Sequence, residues 1–371
     1  MYIYNLTANA GRPVDVLTRR LFVHETELPD HNGRLIRKAF ICRGHDINLV
    51  RRIRMLIGLL LYFPYVILRN RYDIVVLNQE IVWNSLLIVW SKLLRVKSVG
   101  VAYAEEVTMS LKGKSLKSRI KKLLLKTFYK RADGFISVCS FTKNLLLRCG
   151  FSFDQVRVIP PMLLPGKSGQ SEQGSFSGKR ILSVGRLMKR KGFHHLIDAV
   201  DLLRHEIPGI HLSIVGDGPE RENLVRQKEE KELSDTVKIV RNVTDEQLTS
   251  FYEDCDVVVL ANVMMPDGDC EGCPTVLIEA GSFGKPVVAG KKGGTDAAVD
   301  DGVTGYLIHP ENLEELSGAL RRILTDPELA SRLGRAGRRK ANRDHDPRRS
   351  GKAFCRYLEA VCRKTEKRSI L

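Results

Sequence analysis

The sequence lacks the features that mark secreted, disulfide-rich and membrane-spanning proteins. Its first twenty residues contain Asp15 and no apolar core of a secretory signal. The stretch 51–71 has an apolar core of 14 residues that includes Pro64, short of the roughly 20 residues that a bilayer crossing needs. Of eight cysteines, six are scattered without a pairing rhythm. We therefore expect a cytoplasmic protein with free thiols.

Acidic residues are scarce in the first part of the chain. Residues 1–160 hold 27 Lys and Arg against 11 Asp and Glu, whereas the remainder is nearly balanced, at 33 against 32. This asymmetry predicts an anionic partner, such as membrane headgroups, nucleic acid or a polyanionic substrate. A solvated basic surface without a partner is the alternative.

Three basic or apolar stretches in the same part of the chain predict contact with a membrane. Residues 51–71 place the apolar core between Arg clusters, and 82–94 places Trp83 and Trp90 on one helical face. Residues 112–131 hold nine basic residues and no acidic one. Together they predict peripheral association with the inner face of an anionic membrane. For the first two stretches, buried helices of a layered domain are the alternative.

Apolar runs of strand length alternate with segments of helical length in both halves. In the first half the runs are 21–25, 47–50, 72–78, 96–103 and 134–140, and 156–161 closes the series at two prolines. In the second half they are 180–185, 210–216, 237–240, 256–261, 286–290 and 305–310. Such runs are typical of buried parallel strands, so the fold class is α/β, with a Rossmann-like αβα domain in each half.

A Gly- and Ser-rich segment, 164–179, separates the two series and is the predicted linker. We therefore expect a basic N-terminal domain over 1–163 and a second domain over 180–345. Helical periodicity in 351–364 predicts a last helix, within 346–371, that packs back on the first domain.

Two glycine-containing turns in the second half suit a diphosphate. In one, Gly185 ends a strand, and Arg186 and Lys191 follow in a loop that opens a helix. An Arg guanidinium can bind a pair of phosphate oxygens, and Lys adds a mobile positive charge. In the other, a strand ends at Gly216 and Gly218 permits close backbone approach. Each signal alone is weak, because both also describe an ordinary strand–turn–helix connection.

The segment 271–288 adds two carboxylates. Glu271 lies in a loop, and Glu279 lies near the middle of a predicted helix that stops at Gly284. The N–H groups at the start of this helix can bind a phosphate. Glu279 can then accept hydrogen bonds from ribose hydroxyls, and Glu271 from hydroxyls of a sugar. The residues predicted to form that donor-binding start are Gly272, Cys273, Pro274, Thr275 and Val276.

Two further patterns adjoin this segment. Asp267 and Asp269 form D-x-D, which often holds a divalent cation, and Cys270 and Cys273 form C-x-x-C, which suggests zinc or redox chemistry. The cysteines have no second ligand pair at usable spacing in the sequence. We therefore interpret the aspartates as a polar turn and Cys273 as a packing residue.

The order of these motifs resembles the retaining glycosyltransferases of family 4, which have the GT-B fold. The pattern is G-R-x(4)-K-G, then G-x-G-P, then E-G-x-P-x(4)-E-A-x(3)-G-x-P-V-V, then G-G and D-G-x-T-G. It is carried here by Gly185, Arg186, Lys191, Gly192, Gly216, Gly218, Pro219, residues 271–288, Gly293, Gly294, Asp301, Gly302, Thr304 and Gly305.

The resemblance implies two domains facing across a cleft and transfer of a hexosyl group from a nucleotide-sugar, expected to be UDP- or GDP-linked. The acceptor is expected to be lipid-linked or a polysaccharide, as in lipopolysaccharide or exopolysaccharide synthesis. By this resemblance Arg186 and Lys191 bind the donor diphosphate, Glu271 binds the transferred sugar and Glu279 the ribose. No metal and no cofactor beyond the co-substrate is expected, since two cations and helix N-termini can neutralise the diphosphate. No nucleic-acid partner is expected.

Two loops complete the predicted site. Base choice is expected to depend on the loop at Asn242 and Val243. The family's first domain commonly begins with a Gly-Gly loop that contacts the donor phosphate, and the nearest candidate here is Asn32–Gly33.

Three departures from the family pattern leave alternatives open. Ala297 stands where the family often has Glu, no His lies near Tyr103, and Pro160–Pro161 replaces an Asn-Gly pair. They are compatible with a weakened or inactive enzyme. A nucleotide-sugar 2-epimerase of the same fold, and a non-catalytic basic protein that binds nucleic acid or membrane, are the other functions considered.

Overall fold

The computed structural model describes residues 19–20, 40–41, 60–61, 63–70, 72–78, 81–113, 115–163 and 176–363. The predicted strands at 21–25 and 47–50 and the Asn32–Gly33 loop lie outside the described residues, as does most of the predicted linker.

A four-stranded parallel sheet forms the centre of the first half. Its strands, in order across the sheet, are β3 (Ile74–Asn78), β4 (Lys97–Ala102), β5 (Gly134–Ser137) and β6 (Val156–Val158). Two short strands before them, β1 (Arg19–Arg20) and β2 (Phe40–Ile41), pair in parallel with each other. Each of β3 to β6 falls within a predicted apolar run, as expected of strands that are covered on both faces.

Helices cover this sheet. In chain order they are α1 (Phe63–Asn70), α2 (Ile81–Leu93), α3 (Glu105–Lys112), α4 (Leu116–Thr127) and α5 (Ser140–Arg148). Leu125 of α4 and Leu146 of α5 are fully buried against Phe135 of β5. Helix α4 starts at Leu116 because the Ser115 hydroxyl accepts a hydrogen bond from the Ser118 N–H, at 3.2 Å.

Helix α2 is an interior helix. Ile81 and Ile88 are buried, and the Ser91 hydroxyl donates to the carbonyl of Leu87, at 2.7 Å, which satisfies it without solvent. Trp90 packs, partly buried, against the cluster that includes Ile67. Through these residues α2 belongs to the layered core, whereas Leu93 at its end is 68% exposed. The side chain of Trp83 lies outside the described residues. Among the described helices, none combines the length and apolar character needed to cross a membrane.

A six-stranded parallel sheet forms the centre of the second half. Its order is β12 (Gly305–Ile308), β11 (Val287–Gly290), β10 (Val257–Leu260), β7 (Arg180–Val184), β8 (His211–Val215) and β9 (Val237–Val240). The chain runs from β7 outward to β9 and returns to the other side of β7 as β10. The strand order thus reverses between β7 and β10, and open parallel sheets bind ligands outside the carboxyl ends of the strands at such a point.

The helices of the second half are α6 (Phe193–Leu203), α7 (Arg221–Glu230), α8 (Asp245–Asp254), α9 (Thr275–Ser282), α10 (Leu313–Thr325), α11 (Pro327–Asp344) and α12 (Pro347–Arg363). Helix α12 packs on the first sheet, where Phe354 is fully buried beside Val99 and Ile136. The Tyr357 hydroxyl accepts a hydrogen bond from Phe135 N, at 2.9 Å. The predicted pair of parallel-sheet α/β domains is confirmed.

The connections between the two sheets meet at His345. Its carbonyl accepts a hydrogen bond from Leu163 N, at 3.0 Å, and its Nδ1 lies 2.6 Å from the carbonyl oxygen of Pro161. His345 follows α11, and Pro161 follows β6. The segment leaving the first sheet is therefore bonded to the segment that returns to it.

Candidate active site

The turns after β7 and β8 touch each other through backbone atoms. Gly185 N donates to Val215 O, at 3.0 Å. At Gly216, φ is 156°, and a Cβ there would collide with the carbonyl oxygen of Gly185. Glycine is required at this position, because only its backbone fits so close to another chain segment. Gly218 similarly leaves no room for a Cβ beside Leu187. These turns therefore present backbone rather than side chains to the crevice.

Arg186 and Lys191 differ in their surroundings. Arg186 is exposed, whereas Lys191 is buried, with 11% of its side chain exposed and its Nζ 2.9 Å from Glu271 Oε1. Burial lowers the pKa of Lys191 to about 7, the neighbouring Arg190 charge acts in the same direction, and Asp269 and Glu105 oppose it. The predicted mobile cation is thus an ion-paired, interior one.

Arg190, which the sequence interpretation passed over, is the central cation of the site. Its Nε lies 3.0 Å from Asp269 Oδ1, its Nη1 contacts Glu271, and its Nη2 lies 3.8 Å from Glu105 Oε2. Burial raises the pKa of Asp269 to about 6, although the Arg190 charge acts against this rise. The run of three basic residues at 189–191 indicated a cationic turn. The sequence did not specify which of the three side chains contacts the carboxylates.

Glu279 lies in the middle of α9, as predicted, and accepts a hydrogen bond from the Tyr252 hydroxyl, with 3.0 Å between Oη and Oε2. Tyr252 is 1% exposed and stacks on Phe283, with ring centroids 5.1 Å apart. A buried aromatic partner thus orients the Glu279 carboxylate. Tyr252 is 27 positions away in sequence, and no local pattern pointed to it.

Helix α9 begins at Thr275, after Pro274, and no side chain caps its first amides. Its uncapped amino end therefore favours an anion. Thr275 is exposed, and Gly272, Cys273 and Val276 lie around it, half-buried. The structure brings these predicted donor-binding residues to the carboxyl end of β10, between Glu271 and Glu279.

The loop 264–274 is packed against the first half. The Cys139 thiol donates to the carbonyl oxygen of Gly272, at 3.1 Å, and a Cβ at Gly272 would collide with the carbonyl oxygen of Tyr103. The Lys112 ammonium approaches the Met264 sulfur at 3.0 Å. The site is thus closed on one side by the start and end of α3.

The segment after β4, where the family's histidine is missing, holds a tyrosine and a glutamate. The Tyr103 hydroxyl donates to Asn78 Oδ1, at 2.9 Å, and Tyr103 N donates to Glu106 Oε1, at 2.8 Å. Burial raises the pKa of Glu106 to about 7. Ala104, between them, has φ of 92°, a conformation unfavourable for any residue with a Cβ. Functional sites often retain such strain.

Asn262 joins the loops after β10 and β11. Its Nδ2 donates to Lys292 O and to Thr295 Oγ1, both at 3.1 Å, and its Oδ1 accepts from Gly290 N, at 3.2 Å. It is fully buried. Asn262 thereby fixes the turn that carries Gly293 and Gly294.

The remaining predicted loop residues lie in the loops after β9 and β11. Asn242 follows β9 with φ of 56°, and Val243 packs on the second-half core. Ala297 ends a 3-10 turn over Thr295–Ala297.

The residues of the D-x-D and C-x-x-C patterns lie in a polar turn and in packed surroundings, respectively. Asp267 Oδ1 accepts from Asp269 N, at 3.0 Å, which closes a polar turn. Cys270 is buried beside the Thr108 hydroxyl, at 3.7 Å, and Cys273 packs beside the core. Among the described residues, no group of three or more His, Cys, Asp or Glu side chains could hold a metal ion.

Comparison with known proteins agrees with this architecture. Residues 171–340 match the family described as Glycosyl transferases group 1, and residues 3–163 match Glycosyltransferase Family 4. A GDP-mannose-dependent alpha-(1-6)-phosphatidylinositol monomannoside mannosyltransferase of Mycolicibacterium smegmatis is 35% identical over 159 residues, which cover 43% of this chain and 42% of that protein. The matched region thus spans less than half of that relative.

Two solved structures share the fold. A sucrose-phosphate synthase from Thermosynechococcus elongatus superposes with a TM-score of 0.78 and 22% identity, covering 97% of this chain and 92% of that one. Anabaena HepE in complex with UDP superposes with a TM-score of 0.68 and 20% identity, covering 82% of this chain and 84% of that one. The chain therefore belongs to the group 1, family 4 glycosyltransferases and has their GT-B fold.

Proposed function

We propose that the protein is a retaining hexosyltransferase that uses a nucleotide-sugar and a lipid-linked or polysaccharide acceptor at the cytoplasmic face of a membrane. The observation that carries this proposal is the contact of Lys191, which follows β7, with Glu271, which follows β10, at 2.9 Å; Arg186 lies in the same turn as Lys191, and Glu279 lies in the helix that follows Glu271. Two cations and two carboxylates at a strand-order reversal suit a ligand with a diphosphate and many hydroxyls.

Each group has a distinct task in this proposal. Exposed Arg186 and the uncapped start of α9 supply donors for the phosphate oxygens. Glu279, held by Tyr252, accepts from the ribose hydroxyls. Glu271 accepts from hydroxyls of the sugar once Lys191 turns toward the diphosphate.

The chemistry requires stabilisation of a leaving group more than a strong base. As the bond between sugar and phosphate breaks, negative charge grows on the departing nucleoside diphosphate. Positive groups that are already in place stabilise this charge without reorganising solvent. Arg186 and Lys191 therefore act mainly on the leaving group.

The relatives support both expected nucleotides and a lipid acceptor. The mycolicibacterial relative is named for GDP-mannose and a phosphatidylinositol mannoside, and HepE is complexed with UDP. The choice between UDP and GDP, and the acceptor, are therefore part of the proposal.

Membrane association is supported by the surface of α4. Leu116, Ile120 and Leu123 are 71%, 48% and 62% exposed and recur at helical spacing, so they form one apolar stripe. Exposed Lys122 and Lys126 lie beside it. A helix with an exposed apolar stripe and adjacent basic residues can lie in the interface of an anionic bilayer.

A nucleotide panel tests the proposed activity. Thermal shifts and hydrolysis are measured with UDP-, GDP- and ADP-sugars and their diphosphates, and we expect one base to be bound. Arg186→Ala should lower turnover about 100-fold or more, whereas Lys189→Ala, an exposed cation of the same turn, serves as the matched control. Absence of binding and hydrolysis across the panel contradicts the proposal. An epimer formed without acceptor supports the 2-epimerase instead.

A further inference from the structure

Arg190 contacts both halves of the protein at the donor site. Asp269 and Glu271 belong to the loop after β10, whereas Glu105 begins α3 in the first half. The Arg190 guanidinium reaches all three carboxylates, at 3.0 Å from Asp269, in direct contact with Glu271 and at 3.8 Å from Glu105. A single side chain thus joins the sugar-binding glutamate to the opposite side of the cleft.

The backbone of Arg190 is held firmly. Its carbonyl accepts a hydrogen bond from Val263 N, at 2.8 Å, and a Cβ at Gly192 would collide with the carbonyl oxygen of Ala261. The turn Lys189–Lys191 is therefore pressed against the end of β10. With 14% of its side chain exposed, Arg190 has little freedom to point elsewhere.

The ion pairs around Arg190 are shielded from solvent. The side chains of Arg190, Asp269 and Glu271 are 14%, 15% and 9% exposed. Attraction between charges is stronger where water is excluded, so these contacts hold the three groups in place.

Charge balance changes when a donor enters. Arg190 and Lys191 face three carboxylates, Glu105, Asp269 and Glu271. Once Lys191 turns to the diphosphate, Arg190 remains the cation in contact with Glu271. Without it, Glu271 would stand unpaired beside an anionic ligand, and an unpaired buried charge is costly.

We propose that Arg190 is a positioning residue, which holds the Glu271 carboxylate toward the transferred sugar and, through Glu105, makes that position depend on closure of the two domains. This inference rests on the proposed function and extends it. Lys191 and Arg186 act on the diphosphate, whereas Arg190 acts on the sugar through Glu271.

Binding measurements with and without the sugar separate this role from a general loss of charge. The probes are UDP-glucose, GDP-mannose and ADP-glucose and their matching diphosphates, by calorimetry. For the base that binds, Arg190→Met should weaken the nucleotide-sugar about tenfold and leave the diphosphate within threefold. Hydrolysis at saturating donor should fall about 100-fold, as expected when a group is misplaced by about 1 Å.

Two further variants exclude a purely structural effect. Arg190→Met with Asp269→Asn restores the charge balance of the loop, so its Tm should return toward that of the wild type while sugar binding stays weak. Arg190→Lys should recover part of the sugar binding, since it keeps the charge but loses the planar fork. Lys189→Met is the matched control and should change neither ligand's affinity.

A double-mutant cycle between Glu105 and Arg190 tests the proposed dependence on domain closure. Glu105→Gln should lower hydrolysis severalfold in the wild type and have no further effect in Arg190→Met, because the two residues act through one contact. Purely additive effects contradict this coupling.

The outcomes distinguish the two proposals. A wild type that binds none of the probes overturns the proposed function, and the role of Arg190 with it. A wild type that binds, with a nucleotide-sugar to diphosphate affinity ratio unchanged in Arg190→Met, overturns the role of Arg190 alone. Sugar binding restored by the charge-balanced double variant also overturns it.

Discussion

Single residues of the donor site combine burial with charge. Lys191 is ion-paired to Glu271, while Arg186 is exposed in the same loop. A diphosphate therefore meets one available cation first and must draw the second out of a buried pair. The cost of separating that pair lowers affinity but discriminates against ligands that lack a second phosphate.

The pKa of Lys191 predicts a pH dependence of donor binding. Burial lowers this pKa to about 7, so the cation is fully present well below pH 7, is half neutral at pH 7 and is lost as pH rises further. A bound diphosphate favours the protonated form, so binding above pH 7 requires proton uptake. We expect the Kd of the bound nucleoside diphosphate to rise by up to tenfold per pH unit between pH 7 and 9.

Calorimetry in buffers of different ionisation enthalpy measures the proton uptake. Lys191→Arg is the matched control, because an Arg stays charged over this range and should flatten the profile. An equal pH dependence in wild type and Lys191→Arg contradicts the assignment to Lys191.

At the scale of elements, the same helical periodicity gives opposite results in α2 and α4. Ile81 and Ile88 of α2 are buried in the core, whereas Leu116 and Leu123 of α4 face solvent. The charge between the apolar residues distinguishes them, since α4 carries five basic residues and α2 only Lys92. Basic side chains that keep their charge in water leave the outer face of α4 exposed, although Leu125 on its other face is buried.

The exposed stripe of α4 predicts membrane binding by this helix. Ile120→Ser with Leu123→Ser should reduce flotation with vesicles containing phosphatidylserine at least tenfold, since buried apolar area contributes about 25 cal/mol per Å². Leu202→Ser removes another exposed leucine, 41% exposed, from the second half and should leave flotation unchanged. If the basic surface binds nucleic acid instead, both variants should still shift duplex DNA in a gel. Stronger binding to DNA than to vesicles contradicts membrane association.

At the scale of the whole molecule, His345 joins the two crossings between the sheets. Its side chain is 1% exposed, and burial lowers its pKa below the usual value. A neutral buried imidazole is stable above pH 6.5, and this contribution is lost as pH falls from 6.5 through the lowered pKa, since the unfolded chain takes up the proton first.

Replacing His345 should therefore change both stability and its pH profile. His345→Ala removes the contact with the carbonyl oxygen of Pro161, and we expect a loss of about 1–3 kcal/mol at pH 7.5. The difference in Tm between wild type and variant should shrink between pH 7 and 5. Thermal unfolding over this range measures it, with His205→Ala, a histidine of the second half that is exposed, as control. A constant difference in Tm argues against titration of His345.

Sequence alone predicted strands β3 to β12, and it proposed a set of donor-binding residues. Apolar runs such as 256–261 became buried strands, because a parallel strand covered on both faces is recognisable from consecutive residues. Glu271, Glu279 and Lys191 were selected because glycines and prolines set their turns locally. The same local reasoning could not distinguish Arg190 from Lys189 and Lys191, nor place 82–94 inside the core.

Only the tertiary structure decided which charges meet. Arg190 and Glu105 are 85 positions apart in sequence, and Tyr252 reaches Glu279 from another helix. Their contacts depend on the order of strands in the sheet and on how closely the two halves approach, which spacing along the chain does not specify. Local chemistry therefore determined the elements and their turns, whereas packing between distant elements determined the charge arrangement of the site.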